Sequence, residues 1–204
     1  MTRLWKVENG QLAKVPTASL PSERSIENWV ADDPSILGLD LLIIARQLTT
    51  GYGGIIDLLG MNRSGGLTII EIKRDKTTSR EVVAQILDYG AWVKNLTTPR
   101  IHGIANAHLN RPLSEAFLQR FSQTIPETLN LSHNLLIVAS GVDSSSRRII
   151  DYLSERYGVS INAVFFTYFS DDGNELLACD FLLDQEEVVT RRTRRKTRPA
   201  DERY

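Results

Sequence analysis

The chain has 204 residues, of which 42% are hydrophobic and 24% are charged, and its formal net charge is −1. This composition is typical of a globular protein that buries roughly 70% of its unfolded surface. The single cysteine, Cys179, excludes an internal disulfide and a four-cysteine zinc site. Because no apolar run approaches the roughly 18 residues that span a membrane, and residues 1–10 lack a signal peptide's apolar stretch, we predict a cytoplasmic protein without a membrane partner.

Charge is distributed unevenly along the chain. Residues 190–204 carry seven Lys or Arg and two acidic residues, which leaves a net charge of −6 on residues 1–189. We interpret residues 1–189 as one domain and residues 190–204 as a basic, disordered tail. Such a tail either neutralises nucleic-acid phosphates or only aids solubility. The candidate phosphate-binding residues in it are Arg191, Arg192, Arg194 and Arg195.

The first half of the chain alternates between strand and helix patterns. Asn9-Gly10 is the dipeptide that best supports a two-residue hairpin turn, and Ser22 precedes apolar residues at helical spacing. The predicted elements are, in order, a hairpin over residues 4–15, a helix over 22–30, a strand over 39–48, a glycine-rich loop over 51–54, and a hairpin with strands 55–61 and 67–73.

The second half continues this alternation. Thr78 and Glu81 fit a capping box at the start of a helix of about four turns. The elements predicted after it are a strand over residues 101–105, a helix over 113–121, a buried strand over 134–139, a helix over 144–157, and a strand pair over 161–169 and 176–183. Interleaved strands and helices without a linker predict an α/β fold with a mixed β-sheet flanked by helices.

Three chemically active residues lie in the second hairpin. Asp57 and Glu71 are equally distant from Ser64, the middle of the predicted turn, so a regular ladder makes them cross-strand neighbours. Lys73 lies two residues beyond Glu71 and therefore on the same face. Paired carboxylates repel unless a cation lies between them, and Mg²⁺ or Mn²⁺ takes such oxygen ligands. With a lysine to position or deprotonate a water, this set indicates phosphodiester hydrolysis.

These residues also carry a family resemblance. Asp57 followed by Glu71-Ile72-Lys73 on adjacent strands resembles the motif of the PD-(D/E)XK nuclease superfamily, whose fold is restriction-endonuclease-like. GIID at 54–57, GGLTIIEIKR at 65–74 and the helix with Gln85 and Tyr89 look like the nuclease domain of NucS-type, RecB-like endonucleases. The likeness covers roughly residues 20–95, and the later NLLIVAS strand more loosely.

The resemblance implies a metal-dependent DNA endonuclease, structure-specific and acting in repair or defence. Asp57, Glu71 and the Ile72 carbonyl would hold Mg²⁺ or Mn²⁺, and Lys73 would serve the attacking water. Glu23 on the first helix would join the site, since its distance from Asp57 along the chain fits better than that of Glu27. Two further residues, Gln85 and Tyr89, would form the QxxxY element that contacts substrate and site.

Alternatives remain open at this stage. Glu23 could serve only the dipole of its helix, Gln85 and Tyr89 could be a pair at the core margin, and Arg74 and Arg80 could hold phosphate or simply be solvated. At the level of function, the alternatives are a non-catalytic nucleic-acid-binding module and an interaction platform whose tail binds an acidic protein. RNA is an alternative to DNA, and a homodimer is an alternative to a monomer.

Overall fold

The computed structural model describes residues 2–74 and 79–183. Among the described residues, no helix is both long and apolar enough to cross a membrane. The strands are β1 (Leu4–Glu8), β2 (Gln11–Val15), β3 (Thr17–Ala18), β4 (Leu41–Thr49), β5 (Ile55–Asn62), β6 (Leu67–Lys73), β7 (His133–Ala139), β8 (Ile161–Asp171) and β9 (Asn174–Phe181). The helices are α1 (Glu23–Asp32), α2 (Arg80–Val93), α3 (Thr98–Leu109), α4 (Leu113–Phe121) and α5 (Ser144–Tyr157), with a 3-10 turn at Pro34–Leu37.

The architecture is mixed α/β, as predicted. Seven strands form one sheet in the order β3-β8-β7-β6-β5-β4, with β9 paired to β8, while β1 and β2 form a separate hairpin. The strands β4, β5 and β6 are antiparallel, whereas β6, β7 and β8 are parallel. The carboxyl ends of β6 and β7 therefore meet at the same edge of the sheet.

Helices cover the sheet on both faces, which explains the nearly continuous burial of β6. On one face, apolar residues of α2, α3, α4 and α5 pack on the sheet. On the other face, α1 packs through Ile26 and Val30 against residues that include Ile70 and Ile72. Ser22 caps α1 by accepting a hydrogen bond from the Ser25 amide, and Glu23 in the first turn of α1 accepts one from the Arg74 amide, directly after β6.

The register predicted for the second hairpin is confirmed where the two strands pair. Leu58 pairs with Ile70 and Met61 with Leu67, so Ser64 is the centre of symmetry. The ladder ends at the Leu58–Ile70 pair, so the predicted direct pairing of Asp57 with Glu71 does not form, and Asp57 instead accepts a hydrogen bond from the Ile72 amide. The side chains of β5 also change faces here. Residues two positions apart in a regular strand share a face, but Ile56 packs on the face covered by α2 and Leu58 on the face covered by α1. Asp57 therefore lies where the strands separate.

The predicted strand over residues 101–105 is wrong, because these residues lie inside helix α3. Pro99 occupies the first turn, where its missing N–H costs nothing, and Ile101 and Ala105 are both buried at a spacing of four residues. Helix α2 begins with Ser79 at its N-cap, whose side chain forms no capping bond, while Thr78 of the predicted capping box lies outside the described residues.

Candidate functional site

Asp57 lies where β5 and β6 separate. Hydrogen bonds to its carboxylate take the place of backbone pairing there. Oδ2 accepts a hydrogen bond from the Ile72 amide at 2.8 Å, and Oδ1 accepts one from Gln47 Nε2 at 3.0 Å. Burial raises the pKa of Asp57, while the two hydrogen bonds and the charge of Lys73 oppose that rise. The aspartate is thus held in one orientation beside the end of β6.

Glu71 is the most deeply buried acid of the site, with 1% of its surface exposed. Its Oε1 lies 2.8 Å from Lys73 Nζ, whereas its Oε2 is buried without a hydrogen-bond partner among the described residues. Burial, together with the negative charge of Asp57, raises the pKa of Glu71 to about 7, although contact with Lys73 opposes the rise. A second positive charge near Oε2 would therefore relieve a large desolvation cost.

Lys73 is the cation that the chain itself supplies. Although burial favours the neutral amine, contact with Glu71 and the charges of Asp57 and Glu23 raise the pKa of Lys73 above its ordinary value. In the protein alone the side chain is therefore an ammonium at neutral pH. It can donate hydrogen bonds and stabilise negative charge, but it is not a ready proton acceptor.

Gln47 connects two acidic side chains. Its Nε2 donates to Glu27 Oε2 at 2.8 Å as well as to Asp57, and Glu27 Oε1 in turn accepts a hydrogen bond from Arg46 Nε at 3.0 Å. Gln47 has a φ of 46°, in the left-handed region that side chains rarely adopt. Such an outlier, held in place by two carboxylates, is a common feature of functional sites.

Both candidate glutamates of α1 lie at this site. Glu23 and Glu27 line a pocket of about 560 Å³ together with Arg24, Arg46, Gln47, Asp57 and Ile72. Glu23 Oε1 accepts a hydrogen bond from the Arg74 amide at 3.0 Å, so it reaches the end of β6. Glu27 is 8% exposed and engages Arg46 and Gln47. Glu23 therefore remains the acid placed closest to the motif strand, and Glu27 belongs to a surrounding network.

Gln85 and Tyr89 contact each other and the start of β5. Gln85 Nε2 donates to the Tyr89 hydroxyl at 2.6 Å, and this hydroxyl accepts the Ile55 amide at 3.2 Å. Tyr89 is only 3% exposed, and its ring lies so close to Gly54 that a Cβ there would be 2.4 Å from Cε1. In this geometry the pair positions the segment that leads into Asp57.

The remaining predicted substrate residues are distributed more widely. Arg74 directly follows β6, with its carbonyl accepting a hydrogen bond from Ser140 Oγ. Arg80 begins α2, and its Nη2 donates to Ser145 Oγ at 3.2 Å. The four tail residues Arg191, Arg192, Arg194 and Arg195 lie outside the described residues.

The donor set fits a hard divalent cation. Among the described residues, no group of three or more His, Cys, Asp and Glu side chains is close enough to hold a metal ion. Mg²⁺ does not need one, because it commonly takes one or two carboxylates and completes its shell with water and substrate phosphate. The carboxylate of Asp57 and the partnerless Oε2 of Glu71 match that requirement.

Comparison with known proteins gives structural likenesses at low identity. No family model matches the chain. The chain is similar to a repair endonuclease from Pyrococcus abyssi, with a TM-score of 0.38 and 14% identity over 72% of this chain and 48% of that one. It is also similar to EndoMS in a dsDNA complex, with a TM-score of 0.43 and 17% identity over 72% of this chain and 46% of that one.

A third likeness is to EndoMS in its apo form, with a TM-score of 0.38 and 16% identity over 74% of this chain and 48% of that one. The chain thus spans about half the length of the solved chains that it matches.

The sequence pattern does not single out two residues of the site, Gln47 and Arg46, because they lie in an ordinary strand pattern. It favours Glu23 over the third, Glu27. The signal that could have found them is the run of polar residues that interrupts the apolar β4 segment, Arg46-Gln47, ten residues before the motif aspartate. A strand that turns polar near its end often faces a site rather than the core.

Proposed function

We propose that the chain is a divalent-metal-dependent nuclease that hydrolyses phosphodiester bonds within DNA. The observation that carries the proposal is the buried, partnerless Oε2 of Glu71, held beside Asp57 and Lys73 at the end of a strand. An acid in such surroundings is costly unless it binds a cation. The choice of DNA rather than RNA comes from the sequence resemblance.

Asp57, Glu71 and the Ile72 carbonyl would hold Mg²⁺ or Mn²⁺. When bound, such an ion lowers the pKa of a water and offsets the charge that develops on a phosphate during hydrolysis. The protein's contribution is to fix the ligands, since the Ile72 amide and Gln47 hold both oxygens of Asp57. Pre-positioned ligands of this kind avoid the cost of reorganisation during the reaction.

Lys73 would act as a charged hydrogen-bond donor beside Glu71. Its ammonium can orient the attacking water and stabilise the additional negative charge on the phosphate oxygens. Glu23 lies close enough to influence the pKa values of both Glu71 and Lys73, so it adds negative charge to their surroundings. Gln85 and Tyr89 would hold the start of β5, which leads into Asp57, in place.

A cleavage assay with matched variants tests the proposal. The purified protein is incubated with plain, mismatched and branched DNA duplexes in Mg²⁺, in Mn²⁺ and in EDTA. We expect cleavage only with metal, and a loss of about 100-fold or more in Asp57→Asn and Lys73→Met. Asp88→Asn and Lys94→Met change the same residue types on and just after α2, and they should retain activity.

Two results would contradict this function. Cleavage by Asp57→Asn at the wild-type rate would show that this site does not carry out the reaction. Binding of DNA without cleavage in any metal, together with no heat of Mn²⁺ binding by calorimetry, would favour the non-catalytic binding module instead. Parallel reactions with RNA of the same sequence test the choice of substrate.

A further inference from the structure

A second and larger cleft lies at the sheet edge beside the candidate site. Its volume is about 1080 Å³, roughly twice that of the pocket at Asp57. The parallel strands β6 and β7 end side by side at Lys73 and Ala139, and the next residues of the chain, Arg74 and Ser140, line the cleft. Ligands of open α/β sheets bind in the crevice outside the carboxyl ends of such strands. We call this space the strand-end cleft.

The strand-end cleft adjoins the pocket that Glu23, Glu27 and Asp57 line. Glu23 lines the pocket and Arg74 lines the cleft, and the Arg74 amide donates to Glu23 Oε1 at 3.0 Å. Ser140 Oγ donates to the Arg74 carbonyl at 3.1 Å and so connects the next part of the wall. A strand bound at these acids therefore has the cleft directly beside it.

The polar lining suits a phosphodiester backbone. Arg74 and Arg147 both line the cleft, both are exposed, and neither forms an ion pair with a carboxylate of the described residues. Arginine is suited to phosphate because its planar fork donates two parallel hydrogen bonds. The carboxylate in the lining is that of Asp180, which accepts a hydrogen bond from the Thr2 hydroxyl. Further hydroxyl groups in the lining are those of Thr17, Ser19 and Thr167.

The apolar lining suits unpaired bases. Phe165, Tyr168 and Phe181 line the cleft and are only half-buried, so part of each ring is accessible. Tyr168 stacks on Trp29 of α1 with ring centroids 6.3 Å apart, which holds one ring in place. Aromatic rings combined with a cationic groove are the usual means of binding single-stranded nucleic acid.

We propose that the strand-end cleft binds an unpaired stretch of the nucleic-acid strand next to the bond that the acids cleave. Arg74 and Arg147 contact its phosphates, and the rings of Tyr168 and Phe181 contact its bases. This inference rests on the proposed function, because it defines the position of the strand relative to that site. It assigns a substrate role to Arg147, which lies on α5 and far from the motif in the sequence.

The first test measures binding without cleavage. A fluorescein-labelled oligothymidylate and a duplex of equal length are titrated in EDTA with wild type, Arg147→Gln and Arg156→Gln, and anisotropy is recorded across a salt series. We expect Arg147→Gln to bind the single strand about 10-fold more weakly, with a salt slope smaller by about 0.7. Arg156→Gln removes the same charge from the far end of the same helix, and it should bind within about twofold of wild type.

The outcomes separate this inference from the proposed function. Equal binding by the Arg147→Gln and Arg156→Gln variants, no binding of single strands by wild type, or an equal loss of duplex binding would each overturn the inference. None of these results depends on metal or on cleavage. Conversely, a selective loss in Arg147→Gln supports the inference even where the cleavage assay with Mg²⁺ shows no activity.

A second test locates the strand directly. Cys179 is the only cysteine, so Cys179→Ser with Thr167→Cys places one thiol in the cleft. We expect saturating oligothymidylate to slow maleimide labelling of this thiol at least fivefold. A control thiol, Leu131→Cys, lies just before β7 and so about 20 Å from the cleft end of that strand, and its labelling should not change. Unchanged labelling at position 167 would overturn the inference.

Discussion

Replacing Glu71 by glutamine should stabilise the metal-free protein while removing its metal site. Glu71 is buried, and its pKa is raised from its ordinary value of 4.5 to about 7, chiefly by burial and then by the charge of Asp57. At about 1.4 kcal/mol per pKa unit, the ionised carboxylate costs about 3 kcal/mol of unfolding free energy. Glutamine has nearly the same shape and can still accept a hydrogen bond from Lys73, but it carries no charge.

The sign of the pH dependence follows from the direction of the shift. Between pH 4.5 and about 7 the folded protein keeps a proton on Glu71 that the unfolded chain has released. Unfolding therefore becomes easier as pH rises through this window, and the full penalty is present above it. The glutamine variant lacks the penalty, so its advantage should be small near pH 5 and about 3 kcal/mol near pH 8.5.

Thermal unfolding in EDTA measures this effect. For a chain of this size, about 3 kcal/mol corresponds to a rise in Tm of about 6–12 °C at the higher pH. The exposed Glu127 supplies the control, because Glu127→Gln removes a charge that is already solvated. Equal Tm differences at both pH values, or a Glu71→Gln variant less stable than wild type near pH 8.5, would refute the reasoning. Calorimetry with Mn²⁺ should show lost binding in the same variant.

Three further predictions concern the surroundings of the acids. Gln47→Gly relieves a left-handed backbone but removes the amide that holds Asp57, so stability should be kept while Mn²⁺ affinity by calorimetry falls about 10–100-fold. Gly54→Ala places a Cβ 2.4 Å from Tyr89 Cε1, so chemical denaturation should show a loss of about 1–3 kcal/mol. Lys73→Met leaves Glu71 without its ammonium, so cleavage should fall about 100-fold or more, whereas Lys73→Arg should retain more activity.

Each of these predictions has a clear contrary result. Unchanged Mn²⁺ affinity in Gln47→Gly would show that the amide does not position the aspartate. Wild-type stability in Gly54→Ala would mean that the Tyr89 ring moves aside without cost. The control is Tyr89→Phe, which removes the hydroxyl but keeps the ring. Equal activity in the methionine and arginine variants at position 73 would show that cleavage does not need a positive charge there.

Much of the fold could be predicted because its signals are local. The Asn9-Gly10 turn, the cap at Ser22 and the turn centred on Ser64 each depend on residues only a few positions apart. The same holds for the closeness of Glu71 and Lys73, because alternate residues of a strand share a face. The failure at residues 101–105 has a local cause as well, since a short run with two isoleucines and an alanine fits a strand and a buried helical stripe equally.

The sequence by itself determined the mixed α/β class, the hairpin register and the acidic motif, because turn chemistry and hydrophobic period act between near neighbours. Only the tertiary structure decided how Asp57 is held, since Gln47 and Ile72 reach it from two other positions in the sheet. It also decided that Arg74 and Arg147 line one cleft, although 73 positions separate them. Such contacts depend on how α1 and α5 pack on a sheet whose strands come from distant segments, and no local pattern encodes that packing.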